Sequence, residues 1–229
     1  MKNQNTAKLA TTYIGKNFCQ ANNKSFQQLL SEQCEVIAKK VTDGMQSDEQ
    51  YSFFINEIER IPVIRKPILY RWWFAEDSKP MIALKKYLDE HPTDEEMLQL
   101  FSQLEERKFE GKEQKYYALY FGKSNNGYRR YIQHSTGNVH TSTIRHALYG
   151  LCLTENGEKQ YIKEREEEIT RMLQECYYEW IPFDNEGKLV ECVESICIAL
   201  GKYPLNLDGN PAISNQWRDY LLEKRKLKE

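Results

Sequence analysis

The sequence predicts an α+β fold: a small three-stranded, mostly antiparallel sheet flanked by helices, with extra helices at the N-terminus and between the first two strands. Three short, aromatic-rich stretches are typical of strands, namely residues 68–74, 116–121 and 176–183. Most of the remaining chain carries apolar residues at helical spacing. With 229 residues, 40% of them hydrophobic, the chain is long enough to bury a core around such a sheet.

The first part of the chain, residues 1–60, is predicted to be an N-terminal helical extension. Residues 1–24 are polar and poorly patterned, so we expect a frayed start. Apolar residues recur at helical spacing over Ser25–Val41, and a serine at the start of this stretch is a suitable N-cap. A second helix is expected over Ser47–Arg60, just before a proline that stops it.

The sheet and its helices follow the extension. The first strand, Ile68–Phe74, begins directly after a proline, and a proline near the end of the third strand is what an edge position would allow. A glycine closes the helix predicted over Leu189–Leu200. The other predicted helices are Lys79–Glu90, Thr93–Lys108, one beginning after Gly122, one beginning at Thr141, much of Glu155–Glu175, and Ile213–Lys228.

Bulk composition excludes several classes of protein. No apolar run approaches the roughly 18 residues that a membrane span needs, and the N-terminus leads into no apolar signal core, so we expect a cytoplasmic protein without a membrane partner. The net charge of -2 argues against a general polyanion binder. The cysteines form no CxxC pair and are expected to be reduced core thiols: Cys19, Cys34, Cys152, Cys176, Cys192 and Cys197.

The most informative stretch runs from Tyr120 to His134. A short aromatic strand ends in a glycine turn and leads into a helix that carries Arg130 and His134 one turn apart, so both side chains face the same way. From Lys115 to Thr154 there is no Asp or Glu, and the net charge of this segment is +5. The pattern predicts a phosphate-binding site.

These residues resemble the motifs of the GIY-YIG nuclease superfamily, the fold of phage homing endonucleases and of the excision-repair incision subunit. Ile68-Leu69-Tyr70 stands where the family has Gly-Ile-Tyr, and Tyr120-Phe121-Gly122 where it has Tyr-Ile-Gly. The family's helical arginine follows that glycine by about eight positions, as Arg130 does here. Glu194 and Asn206 are twelve positions apart, like the family's metal-binding glutamate and asparagine.

The chain also departs from the family pattern. Ile68 replaces the first glycine, and Tyr70 and Tyr120 are 50 residues apart where compact members have a short turn. We therefore interpret residues 75–114 as a helical insert, which some bacterial relatives share. The resemblance implies a nuclease-like domain over residues 61–210, followed by a C-terminal helix over 211–229.

The resemblance implies a bacterial or mobile-element endonuclease that hydrolyses phosphodiester bonds in DNA, with double-stranded DNA as the expected substrate. Glu194 would bind Mg²⁺ or Mn²⁺, and Arg130 would stabilise charge on the phosphate. The general base would be Tyr120, His134 or His140, with Lys123 helping to lower the pKa of Tyr120. Tyr70 is expected to orient the nucleophile or to hold Tyr120. The remaining expected roles are support of the site by Gly122 and Asn206, and nucleic-acid contacts by Arg129 and Arg145.

Two other classes of function stay open at this stage. The chain could be a catalytically inactive member of the fold that binds nucleic acid or another protein, or a helical scaffold whose basic patch docks an acidic partner. Taken singly, Tyr120 fits a core tyrosine, and Arg130 and His134 fit a solvated helix face. The basic tail, which includes Arg225, could add to DNA recognition without being distinctive.

Overall fold

The computed structural model describes residues 24–45, 65–135, 137–154, 161–183 and 188–226. The frayed start and the helix predicted over 47–60 therefore lie outside the described residues, apart from Lys24. The elements in chain order are α1 (Lys24–Asp43), β1 (Ile68–Ala75), α2 (Lys79–Glu90), α3 (Glu95–Phe101), β2 (Glu106–Arg107), β3 (Tyr116–Ser124), α4 (Gly127–Ser135), α5 (Thr143–Leu153), a short 3-10 helix (Lys163–Arg165), α6 (Glu166–Gln174), β4 (Tyr177–Pro182), α7 (Lys188–Leu200) and α8 (Asn215–Lys224).

The described sheet has four antiparallel strands in the order β2-β3-β1-β4. The predicted α+β class is confirmed. The predicted count of three strands is wrong, because the sheet also contains the two-residue strand β2. The helix expected over Thr93–Lys108 ends at Phe101, and the chain then turns back so that β2 pairs with the start of β3. A strand of two residues is too short to leave a periodic pattern in the sequence.

β1 is the centre of the sheet, and all eight of its residues are buried. Its alternate side chains enter two separate cores, with Tyr70 and Trp72 on one face and Leu69 and Trp73 on the other. The first core is covered mainly by α2, α5 and α8, and the second by α1 and α7. This covering of both faces explains why the strand reads as a continuous apolar run.

One buried ion cluster interrupts this apolar strand. Arg71 is 4% exposed and lies opposite Glu179 of β4, which is 0% exposed and accepts a hydrogen bond from the Arg71 Nε. Glu179 also accepts from Arg107 of β2, and the Arg71 Nη1 donates to Glu105 at 2.8 Å. The guanidinium of Arg71 stacks over the Trp73 ring at 4.6 Å. The cluster thereby ties the segment between β1 and β3 to the sheet.

No helix among the described residues is long and apolar enough to cross a bilayer.

We predict that Glu179→Gln destabilises the protein by about 3 kcal/mol, because it leaves two arginines beside a neutral group in a buried site. Urea unfolding measures the difference. Glu168→Gln is the matched control, since Glu168 pairs with Lys79 on the surface, where such pairs contribute about 1 kcal/mol or less. Equal losses in the two variants would contradict the assignment of Arg71 and Glu179 as a buried pair.

Candidate active site

The pairing of β1 with β3 places Tyr70 directly opposite Gly122. The buried ring of Tyr70 crosses the glycine so closely that a Cβ at Gly122 would lie 2.7 Å from both the Cζ and the hydroxyl oxygen of Tyr70. A glycine is therefore required at this position for the tyrosine to reach across the strand. The contact fixes the position of the Tyr70 hydroxyl relative to β3.

Two side chains of α4 contact the Tyr70 hydroxyl. It accepts a hydrogen bond from the Arg130 Nε at 3.1 Å, and it lies 3.2 Å from the His134 Nε2. The other ring nitrogen of His134 lies 2.8 Å from the Ser142 Oγ, and Ser142 caps α5. The predicted one-turn spacing of Arg130 and His134 is thus used to hold a tyrosine.

The position of His134 contradicts the expectation that Arg130 and His134 both act as cations towards a phosphate. The ring is 0% exposed, and burial, followed by the charges of Arg130 and Arg145, lowers its pKa well below the ordinary value. The imidazole is therefore neutral, and it does not line the cavity described next. Its contacts make it a residue that positions Tyr70.

A cavity of about 330 Å³ opens beside this network. Its walls come from β3, α4, the start of α5, α7, the loop before α8 and the end of α8. Four of the predicted site residues share it, from four different elements. The lining residues are Tyr120, Arg130, Thr143, Glu194, Ser195, Ile198, Asn206, Leu207, Asp208, Gly209 and Arg225.

Glu194 carries the cavity's most perturbed carboxylate. Burial raises its pKa to about 7, although the charge of Lys123, a hydrogen bond from the Lys123 backbone and the charge of Arg130 all lower it. The desolvated carboxylate is thus incompletely compensated by the positive charges around it. A cation beside Glu194 would supply the missing charge.

The donor set decides which cation fits. Among the described residues no group of three or more His, Cys, Asp or Glu side chains is placed to hold a metal ion. Mg²⁺ and Mn²⁺ are commonly held through one or two carboxylates, with waters and substrate oxygens as the other ligands. Glu194 at the wall of a polar cavity fits an ion of that kind.

Tyr120 faces the cavity from β3 and is nearly buried. Burial raises its pKa and outweighs the charge of Arg130 and a hydrogen bond with Tyr70, both of which lower it. The expectation that nearby cations leave Tyr120 with a lowered pKa is therefore corrected. Lys123 instead donates to Glu191 at 2.7 Å, and its charge acts on Glu194.

Asn206 fastens the loop before α8 to the edge of β3. Its Oδ1 accepts from the Phe121 backbone N–H at 2.8 Å, and its Nδ2 donates to the Phe121 carbonyl at 2.8 Å. The neighbouring Leu205 N–H donates to the Leu119 carbonyl at 3.0 Å. The loop therefore continues the sheet, and this holds the next residues of the loop in the cavity wall.

The remaining predicted residues lie away from the cavity. Arg145 is 1% exposed, and its guanidinium donates to the His134 carbonyl and to Glu166, so the predicted contact with nucleic acid is wrong because no surface is left for it. His140 is exposed beside Tyr161, at 5.4 Å between ring centroids, and does not line the cavity. Arg129 is exposed on α4.

Sequence reasoning missed three contributors. Ser142 was recognisable as a serine before a helical pattern, but its contact with His134 depends on the packing of α5 against α4. Asp208 reads only as part of a turn. Arg225 reads as one of several cations in a basic tail, and its place in the cavity depends on where α8 ends.

Comparison with known proteins identifies one family. The family model described as the GIY-YIG catalytic domain matches residues 68–227, from the first residue of β1 to just past α8. No curated protein and no solved structure matches the chain.

We predict that Gly122→Ala destabilises the protein by about 1 to 3 kcal/mol, because the new methyl group overlaps the buried Tyr70 ring. In a Tyr70→Ala background the same change should be nearly neutral, since the overlapping ring is gone. Urea unfolding of the two single variants and the double variant gives the coupling between the sites. Additive losses would contradict the close contact.

We also predict that Glu194→Gln stabilises the metal-free protein at pH 8 by about 1 kcal/mol after allowance for solvent screening. The folded-state pKa of about 7 exceeds the ordinary 4.5, so stability is fully present below pH 4.5 and is lost as the pH rises towards 7. The advantage of the variant should therefore shrink towards pH 4.5. Unfolding in EDTA at pH 5 and pH 8 measures it, with Glu96→Gln, an exposed glutamate of α3, as control.

Proposed function

The chain belongs to the GIY-YIG catalytic domain family, and on that premise we propose that it is a metal-dependent endonuclease that hydrolyses phosphodiester bonds in DNA. Membership of the family indicates a nuclease-type hydrolase that acts on nucleic acid. The finer statement, an active enzyme on double-stranded DNA in a bacterial cytoplasm, is our proposal. The cytoplasmic setting rests on the spacing of the cysteines in the sequence.

The observation that carries the proposal is the gathering of three chemically complementary groups around one cavity. The Tyr120 hydroxyl, the Arg130 guanidinium and the Glu194 carboxylate come from β3, α4 and α7, and all three line the same space of about 330 Å³. A proton acceptor, a fixed positive charge and a metal ligand are what hydrolysis of a phosphodiester requires.

Glu194 would hold Mg²⁺ or Mn²⁺. When bound, such an ion acts as a Lewis acid on the phosphate and stabilises the departing 3′ oxygen. Arg130 cannot give up its proton, so its part is electrostatic: it faces the negative charge that develops on the phosphate oxygens. Its Nε bond to Tyr70 fixes the guanidinium before substrate arrives.

Tyr120 would orient the attacking water and, in its phenolate form, would accept its proton and become the neutral phenol. Of the three candidates for general base, Tyr120 is the one that lines the cavity. His134 is fully buried, and His140 is not among the residues that line the cavity. Arg130 and the hydrogen bond with Tyr70 favour the ionised form of Tyr120 against the effect of burial. His134 would hold Tyr70 in place for this task.

DNA would approach over the start of α4. Arg129 is exposed on the same helix as Arg130, and the exposed Lys66 lies beside the first residue of that helix, whose N–H donates to the Lys66 carbonyl at 3.2 Å. Arg65, also exposed, lies over the Tyr128 ring at 6.0 Å. Cations on this surface supply phosphate contacts that do not depend on base sequence.

The second candidate function is a catalytically inactive member of the family that binds nucleic acid or a protein partner. The raised pKa of Tyr120 favours it, because a buried phenol is a poor base. The site residues favour the enzyme, because binding alone has no need of a desolvated carboxylate.

We predict that the protein nicks supercoiled plasmid in Mg²⁺, that EDTA abolishes the reaction, and that Glu194→Ala lowers the rate by about 100-fold or more. Glu96→Ala is the control, since Glu96 is an exposed glutamate of α3 and is outside the cavity lining. If wild type and Glu194→Ala both stay at the EDTA background while duplex DNA still binds, the enzyme proposal fails and the binding function stands.

A further inference from the structure

The end of α8 packs closely against α5. A Cβ at Gly150 would lie 2.8 Å from the Lys224 carbonyl oxygen, so the glycine permits the main chain of α8 to touch α5. One turn earlier on α5, the His146 Nε2 donates to the Arg225 carbonyl at 2.6 Å. The Arg225 N–H donates to the Leu221 carbonyl at 3.1 Å. The backbone from which the Arg225 side chain departs is therefore fixed.

The side chain of Arg225 lines the same cavity as Tyr120, Arg130 and Glu194. Within the part of the chain that the structure describes, no hydrogen bond or ion pair holds its guanidinium. Burial lowers its pKa, while the charges of Asp208 and Tyr120 act in the opposite direction. A partly desolvated arginine whose guanidinium has no fixed partner among the described residues therefore lines the cavity.

Another arginine of α8 shows what a structural role looks like here. Arg218 donates to the Leu207 carbonyl and, at 3.0 Å, to the Asn210 carbonyl, so its guanidinium is used to hold the loop before α8. The Arg225 guanidinium makes no such hydrogen bonds to carbonyls of the described residues. Its five N–H donors are available for a ligand, and their planar fork matches a phosphate or a carboxylate.

We propose that Arg225 is a second phosphate-binding arginine of the site, which grips a backbone phosphate of the bound DNA strand from the α8 wall while Arg130 acts from the α4 wall. The inference rests on the proposed function for the identity of the anion as DNA. It makes the end of the C-terminal helix part of the substrate site.

Arg225 also borders a second, more open cavity of about 460 Å³, whose lining includes two carboxylates and Lys226. Lys226 already pairs with Glu223 there, at 2.7 Å. The first cavity also has two carboxylates, but it has a second arginine, Arg130, on another wall, and a metal ion on Glu194 would offset part of the negative charge. The first cavity is therefore the one that suits a phosphate.

The test measures binding and cleavage separately for Arg225→Gln, Arg225→Lys and the control Lys226→Gln. Lys226 is exposed, pairs with Glu223 at 2.7 Å and lies outside the first cavity. In EDTA, where no cleavage occurs, Arg225→Gln should raise the Kd for labelled duplex DNA about 10-fold and reduce the salt slope by about one phosphate contact. Arg225→Lys should recover the charge but only part of the affinity, and Lys226→Gln should change the Kd less than about 2-fold.

Plasmid nicking in Mg²⁺ supplies the second reading, with an expected loss of about 10-fold or more in kcat/KM for Arg225→Gln. If Arg225→Gln matches wild type in Kd, salt slope and nicking, the inference is overturned and the proposed function stands. If wild type does not nick but Arg225→Gln weakens DNA binding as stated, the proposed function fails and the phosphate contact stands.

Asp208→Asn keeps the test decisive should Arg225→Gln lower Tm. If Arg225 only stabilises the loop through Asp208, then Asp208→Asn lowers Tm equally, and adding Arg225→Gln to that variant changes neither Tm nor the Kd for DNA, which overturns the inference. If Arg225 binds phosphate, Arg225→Gln still raises the Kd for DNA about 10-fold in the Asp208→Asn background, and the inference is supported.

Discussion

The close contact of the Tyr70 ring with Gly122 is the constraint on which the site depends. Because the ring can cross β3 only where a Cβ is missing, the hydroxyl reaches the far side of the strand, where Arg130 and His134 meet it. His134 is in turn held by Ser142 at the start of α5. One antiparallel register therefore sets the orientation of β1, α4 and α5 around the cavity.

The same register explains how the fold accommodates the long segment between β1 and β3. Ala75 pairs with Tyr116 at one end of the ladder, and Ile68 pairs with Ser124 at the other. The segment between the two strands leaves and rejoins the sheet at the first end, while the Tyr70 contact lies towards the second. Closing a longer loop costs only a little more entropy, and the ion cluster around Glu179 ties this segment to the sheet. A long segment at this end can therefore leave the site geometry intact.

The electrostatics of the cavity are unbalanced in two complementary ways. Burial leaves Glu194 with a raised pKa and Arg225 with a lowered pKa, so each charged form is short of compensation. The cavity wall carries two arginines and two carboxylates, the second carboxylate being Asp208. A divalent cation on Glu194 and a phosphate between the arginines would relieve both deficits at once. This is consistent with the proposed substrate, a phosphate that arrives with a metal ion.

The sequence by itself determined the fold class, the bounds of α2, the strand-turn-helix around Gly122 and the spacing that identifies the family. These features can be predicted because they depend on the spacing of apolar residues and glycines within short stretches of the chain. Only the tertiary structure decided the charges. It buried His134 and Arg145, paired Lys123 with Glu191, and brought Arg225 to the cavity. A helical pattern shows which side chains share a face, but the state of a charged group depends on its desolvation and its partners, and these come from elements far away in the chain.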